Sequence, residues 1–176
     1  PFLVNEATDH IVDSLNYTPA FELYKETVES LSHYRFNKDD FFTIAKNFPL
    51  GISSINEELL VRDPIVTLDN SLQFVGNIPE NSMIYILNGK IPTLIASAES
   101  AAFNIQKQNK PTAFTLLFDC ISRVLYMNGD FQKELQVIMN ATQKETIFGA
   151  ISIGEIANDS HGIIRLLNKS TVIGCS

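Results

Sequence analysis

Apolar residues recur at helical spacing in four stretches of the chain, and each stretch is bounded by residues typical of helix ends. Before the first stretch, Thr18 can cap a helix and Pro19 suits its first position. Before the second, Asn37 can cap, and Pro49 ends the pattern. The predicted helices are Pro19–Ser32, the segment between Asn37 and Pro49, Pro92–Gln108 and Phe131–Ala141.

Between the second and third helices, the pattern changes to short β-rich runs joined by tight turns. Such runs predict antiparallel strand pairs. Pro64 lies inside one run, which indicates an edge strand or a bulge because proline cannot donate a ladder hydrogen bond. The predicted strands are Leu50–Ser54, Glu58–Leu68, Ser71–Gly76 and Met83–Leu87, preceded by a strand at His10–Leu15 and by Pro1–Asp9 as a linker end or edge segment.

Three later runs complete the predicted sheet. Thr112–Ser122 is apolar at odd and even positions, which predicts a central strand covered on both faces. Ile147–Ile156 is predicted as a buried strand, and Ile163–Ile173 as a last strand that closes the chain with a hairpin. Blocks of strands with inserted helices indicate the α+β class, with a mixed, mostly antiparallel sheet and about four helices.

The Ile147–Ile156 strand contains the most unusual residues of the chain. Gly149 and Gly154 lack a Cβ, so that another backbone or a ligand can come close. Glu155 ends the strand, and a buried carboxylate needs a partner. We therefore expect the candidate site at this end of the sheet.

Composition narrows the range of partners. The chain has 176 residues and 45% hydrophobic residues, which suits a single domain over 1–176, with 1–17 as a possible linker or edge strand. A net charge of −7 argues against nucleic acid and anionic membranes as partners. No apolar run approaches a membrane span and no signal pattern opens the chain. The chain lacks an initial methionine, so we expect a fragment or a processed product.

The few cysteines and histidines indicate no metal or cofactor. Cys120 and Cys175 could pair, but two cysteines without a dense framework favour a reducing cytoplasm. His10, His33 and His161 are far apart in the sequence, and no metal-ligand spacing is present. Neither a P-loop nor a dinucleotide-binding glycine motif occurs. We therefore expect no metal and no cofactor.

Several segments in order, AFELYKETV, VRDPI, SLQFVGNIPENSMIYIL, LFDCISR, FGAISIGEIAN and LLNKST, together resemble a known family. The chain is similar to the C-terminal domain of FIST proteins, the "F-box and intracellular signal transduction" family. The resemblance runs from about Ala20 to the end of the sequence. It implies a sensory domain of a prokaryotic signal-transduction protein that binds amino acids or similar small molecules without catalysis.

The resemblance also implies partners and site residues. The partners would be an upstream FIST N-terminal half and a signalling output domain or protein. The family's motif positions fall on Arg62, Cys120, Arg123, Gly149, Gly154, Glu155 and Asn168. The chain departs from the pattern at Leu167-Asn168, where a His-Asn pair is expected, so that a ligand contact of that ring would be lost.

Each candidate residue also has a structural explanation. Glu155 together with Arg62 or Arg123 could bind the ammonium and carboxylate groups of an amino acid. Alternatively, Glu155 and the arginine could neutralise each other as an ion pair inside the fold. Cys120 could be a reactive thiol if Arg123 lowered its pKa, or a small core residue. A protein-interaction scaffold and a thiol-dependent hydrolase are therefore the alternatives to a ligand sensor.

Overall fold

The structure is a computed structural model that describes residues 1–37, 40–53, 59–106, 114–143, 146–158 and 162–175. The chain divides into two compact units, Pro1–Asn88 and Gly89–Ser176, and each is described by itself. The expectation of a single domain over 1–176 stays a prediction. The predicted helix end beyond residue 106 and His161 lie outside the described residues.

The first unit is a curved antiparallel sheet covered by two helices. Its elements along the chain are β1 (Phe2–Thr8), β2 (Ile11–Leu15), β3 (Thr18–Pro19), α1 (Ala20–Leu31), α2 (Phe41–Ala45), β4 (Leu50–Ser53), β5 (Leu59–Arg62), β6 (Pro64–Leu68), β7 (Ser71–Phe74) and β8 (Met83–Ile86). The order of the strands in the sheet is β5-β4-β8-β1-β2-β7-β6, and β3 pairs with β2.

The structure differs from the strand predictions of the first unit at the start of the chain and in the predicted strand Glu58–Leu68, whose described part is two strands, β5 and β6, at opposite edges of the sheet. Strand β1 lies between β2 and β8, and Val4 is fully buried, so the prediction of a linker or edge segment there is wrong. The apolar residues 2–4 are followed at once by the polar Asn5 and Glu6, which hid the strand pattern. Pro64 begins β6 at the sheet edge, next to an irregular register, as proline chemistry predicts.

The two helices bury the apolar residues that their spacing predicted. Tyr24 and Val28 of α1 and Phe41 and Ile44 of α2 lie in one core. Tyr24 donates its hydroxyl hydrogen bond to the Phe48 carbonyl at 2.8 Å, which satisfies the buried phenol. The predicted cap differs: Thr18 lies in β3, and α1 begins after Pro19 without a side-chain cap.

The second unit places helices on one face of a small sheet. Strand order is β10-β9-β13, with β10 parallel to β9 and β13 antiparallel to β9, and β11 and β12 form a separate antiparallel hairpin. Its elements are α3 (Ile91–Gln106), β9 (Thr115–Cys120), α4 (Ile121–Met127), a 3-10 turn (Asn128–Asp130), α5 (Phe131–Thr142), β10 (Ile147–Ser152), β11 (Glu155–Asn158), β12 (Ile164–Leu167) and β13 (Thr171–Cys175).

The core of the second unit is small and lies on one side of the sheet. Ala98 and Ala102 of α3 pack with Leu117 of β9 and Ile138 of α5, and the small alanine side chains let the layers approach. Residues of β9 therefore alternate, with odd positions buried and Leu116 and Phe118 exposed. The prediction that this strand is covered on both faces is wrong, although its central position is confirmed.

The predicted strand Ile147–Ile156 is two strands, β10 and β11, and most of their residues are exposed although Glu155 is buried. It bends at Ile153-Gly154, and β10 is the edge of its sheet, with Phe148 59% exposed. The predicted strand Ile163–Ile173 is also two, since the turn between β12 and β13 has Lys169 at a φ of 52°. Long apolar runs gave no signal for these breaks. The α+β class, the mostly antiparallel pairing and a C-terminal hairpin are confirmed.

Gly149 allows the closest backbone approach in this sheet. A Cβ at Gly149 would lie 1.9 Å from the Leu117 carbonyl oxygen, whereas a Cβ at Gly174 on the other flank of β9 would meet nothing within 4 Å. We expect Gly149→Ala to lower the free energy of unfolding by about 1–3 kcal/mol or more, because the backbone must shift. We expect Gly174→Ala to change it by less than about 0.5 kcal/mol. Urea unfolding of both variants checks this, and equal losses would contradict it.

Candidate functional site

Arg62 belongs to the first unit and is held by its own neighbours. It ends β5 and is buried, with Nε donating to the Asn77 carbonyl at 3.2 Å and Nη1 to the Val61 carbonyl at 3.0 Å. Burial lowers the pKa of Arg62. Its contacts in the first unit are thus those of a structural residue, and the six other predicted site residues lie in the second unit.

Arg123 forms the central ion pair of the second unit. It lies on α4, three residues beyond Cys120, the last residue of β9. Its guanidinium binds the Glu134 carboxylate of α5 through Nε, at 3.0 and 3.2 Å, and through Nη2. It also donates to the Leu94 carbonyl at 2.7 Å and the Lys169 carbonyl at 3.3 Å. One side chain therefore connects α3, α4, α5 and the turn before β13.

Glu134, the partner of Arg123, was not among the predicted site residues. It is fully buried, and its charge is matched by Arg123. The pairing of Arg123 with Glu155 that the sequence suggested is also absent from the described residues. Glu134 lies three residues after Phe131 and four before Ile138, so its place on the buried helical face was a signal that could have identified it.

Asp119 is a second buried carboxylate beside the ion pair. Its Oδ2 accepts the Thr171 hydroxyl at 3.1 Å, and Oδ1 lies 3.9 Å from Arg123 Nε. Burial and then the Glu134 charge raise the pKa of Asp119 to about 7, against the lowering effects of Arg123 and the Thr171 hydrogen bond. Sequence reasoning missed Asp119, although a lone carboxylate inside an apolar run is the same signal that singled out Glu155.

Asp119 lines a cavity of about 390 Å³ between α5 and the β9–β10 edge. Its other walls are largely apolar, with Leu117 from β9, Phe131, Leu135 and Met139 from α5, and Ile147 and Ile151 from β10, and the polar Thr146 also lines it. Gly149 lines it too, so one predicted residue reaches this concavity. A largely apolar cavity with a few polar groups is the usual form of a small-molecule site.

Glu155 and Asn168 belong to a second buried polar cluster. Glu155 accepts the Ser152 and Ser170 hydroxyls, each at 2.7 Å, and makes no ion pair with a described residue. Asn168 donates to the Leu167 carbonyl at 3.0 Å, while its Oδ1 has no hydrogen-bond partner among the described residues. A Cβ at Gly154 would lie 2.9 Å from Leu166 Cδ1, so this glycine serves close packing.

Cys120 lies between the two clusters and is 1% exposed. It is the register partner of Ser152, and its backbone N–H donates to the Ser170 carbonyl at 3.2 Å. His161, which the thiol hypothesis would need nearby, lies outside the described residues. The geometry supports the reading of Cys120 as a core residue.

The turn Asn168–Thr171 joins both clusters. Ser170 contacts Glu155, Thr171 contacts Asp119, and the Lys169 carbonyl accepts from Arg123. Lys169 Nζ also donates to Ser122 Oγ at 2.6 Å. The structure thus gathers Cys120, Arg123, Gly154, Glu155 and Asn168 around one turn, and leaves Gly149 at the cavity.

Two searches of the described part of the chain gave negative results. Within it, no three or more His, Cys, Asp and Glu side chains are arranged to hold a metal ion. None of the helices described there is both long and apolar enough to cross a membrane.

The protein has an α+β fold, and in the second unit the two buried polar clusters lie at one end of the sheet, beside the cavity. The family model for the FIST C domain matches residues 20–158, so the chain belongs to that family. The family is associated with signal transduction. Searches of curated proteins and of solved structures each gave no significant match.

The buried ion pair can be tested against an exposed one. Arg123→Met leaves the Glu134 carboxylate buried without its guanidinium, which we expect to cost about 3–5 kcal/mol of unfolding free energy. Adding Glu134→Leu to that variant should recover most of the loss, because the Glu134 carboxylate is then no longer buried without its partner. Lys133 is 72% exposed and pairs with Asp130, so Lys133→Ala should cost less than about 1 kcal/mol. Equal losses for Arg123→Met and Lys133→Ala in urea unfolding would refute this.

Proposed function

We propose that the chain is a non-catalytic sensory domain. It binds a small molecule, an amino acid or a similar compound, in the cavity between α5 and β10. The observation that carries this proposal is the cavity itself, about 390 Å³ in volume and lined mostly by apolar side chains, with Thr146 and the single carboxylate of Asp119 as its polar residues. The motif residues Cys120, Arg123, Glu155 and Asn168 act as the support that fixes the end of the sheet. Membership of a family associated with signal transduction supports a sensory role.

The signal would pass through the elements that Arg123 connects. A ligand that contacts Leu135 or Met139 presses on α5, and α5 holds Arg123 through Glu134. Arg123 in turn holds the Lys169 carbonyl in the turn before β13. Ligand binding therefore biases the packing of the turn and of the C-terminal strands, and the upstream FIST half and an output domain would read this change. A cytoplasmic location is part of this proposal.

A protein-interaction scaffold is the second candidate, and a specific observation favours it. The outer face of the β10-β9-β13 sheet is apolar and open: Phe118 is 43% exposed and Phe148 59% exposed. We propose the upstream FIST half as the protein that covers this face. Phe148→Ser should then weaken its binding in calorimetry, and unchanged binding, or self-association of the chain instead, would contradict that assignment.

A ligand screen tests the sensor proposal. We expect at least one compound, from a set of amino acids, amines and carboxylates, to raise the melting temperature of the protein. At a concentration of about 100 times Kd, the ligand would add about 2.7 kcal/mol of stability. For a chain of this size this corresponds to a shift of about 5–10 °C. Differential scanning fluorimetry measures this shift.

Two tryptophan variants provide the control. Ile151 lines the cavity and is 52% exposed, so Ile151→Trp can fill the cavity without disturbing the core and should abolish the ligand shift. Ile156 on β11 is 71% exposed and does not line the cavity, so Ile156→Trp should keep the shift. If no compound stabilises the protein, or if both variants respond equally, the proposal fails.

A further inference from the structure

The cavity between α5 and β10 adjoins an unequal set of buried charges. Asp119 and Glu134 are two carboxylates beside one guanidinium, that of Arg123. Arg123 gives its side-chain hydrogen bonds to Glu134 and to two backbone carbonyls. Asp119 Oδ1 accepts no hydrogen bond from the described residues. A buried carboxylate oxygen without a donor is costly, and a ligand could supply that donor.

Among the residues that the structure describes, the elements packed around Asp119 supply one positive charge, that of Arg123. Arg123 faces it from α4, Glu134 from α5, and the Thr171 hydroxyl from β13. Its register partner on β10 is the apolar Ile151. Of the described residues that line the cavity, Asp119 is the one ionisable group.

We propose that this cavity binds a cationic amine with an apolar body, whose ammonium group pairs with Asp119. The apolar part lies against Leu117, Leu135 and Met139. This inference rests on the proposed function and names the ligand class of that site. The flexible Met139 side chain can adapt to the shape of the ligand.

The same charges discriminate against a carboxylate on the ligand. No described cavity residue is cationic, and the guanidinium of Arg123 is already bound by Glu134. The carboxylate of an amino acid would therefore be desolvated near two acids without a partner. An amine should bind more tightly than the amino acid of the same side chain.

When the ligand's ammonium group pairs with Asp119, we expect the Asp119 carboxyl group to release its proton. Because burial and Glu134 raise the pKa of Asp119 to about 7, about half of the Asp119 carboxyl groups carry a proton at pH 7. With that proton, the Asp119–Arg123–Glu134 set is neutral, and an ammonium paired with ionised Asp119 keeps it neutral. The ionised fraction of Asp119 rises from about one tenth at pH 6 to about nine tenths at pH 8, so the apparent affinity for an amine should rise about tenfold.

Four matched probes test the proposal on the whole chain by calorimetry: phenethylamine, phenylalanine, hydrocinnamate and phenethyl alcohol. We expect phenethylamine to bind at least about tenfold more tightly than the other three, a difference of about 1.4 kcal/mol. In buffers of different ionisation enthalpy, its binding at pH 7 should release about half a proton. Asp119→Asn should lower its affinity about tenfold or more, while Asp13→Asn, an exposed acid on β2 of the first unit, should not.

The outcomes separate this inference from the proposed function. Binding of phenylalanine or hydrocinnamate as tight as that of phenethylamine would overturn the inference and leave the sensor proposal standing. Binding of phenethylamine without proton release, or unchanged by Asp119→Asn, would do the same. The proton release needs no variant, so a poorly folded Asp119→Asn protein would not block the test. If neither the probes nor the wider screen gave binding, both would fail.

Discussion

The ion pair between Arg123 and Glu134 is the interaction on which the second unit depends. It lies out of contact with solvent, and the same guanidinium holds backbone carbonyls of α3 and of the turn before β13. A buried guanidinium has to be matched by acceptors, so the positions of α4, α5 and that turn are fixed together. The apolar core beside it is small, being formed largely by alanine and a few larger residues, which gives the polar contacts a large share in orienting the elements.

The same arrangement explains the cavity. Arg123 engages Glu134 closely and Asp119 only at 3.9 Å, so the second carboxylate stays without a full partner where α5 and β10 separate. The other polar cluster, around Glu155, is satisfied by serine hydroxyls and packs the end of the sheet. The chain therefore has one group of motif residues that supports structure and one neighbouring acid that is available to a ligand. The family's motif positions in the sequence did not distinguish the residues that support structure from the acid that is available to a ligand.

The sequence predicted local structure well and burial poorly. Helical spacing and proline signals identified α1, α2, α3 and α5, since those signals depend on nearby residues. The apolar runs of β9 and β10 predicted buried strands, but a run of apolar residues has the same appearance whether one face or both are covered. Glu155 was correctly predicted to be buried. Its partners were not, because the choice between Arg123 and the serine hydroxyls depends on how distant elements pack.

The most direct measurement is a carboxyl carbon NMR titration that follows Asp119 from acid to mildly alkaline pH in the protein without ligand. The Arg123 guanidinium is the one described cation beside two buried acids, Asp119 and Glu134. We therefore predict an apparent pKa for Asp119 near 7, well above that of an exposed aspartate. A titration midpoint near 4 would contradict the account, since it would mean that Asp119 is fully paired or hydrated and has no need of a cationic ligand.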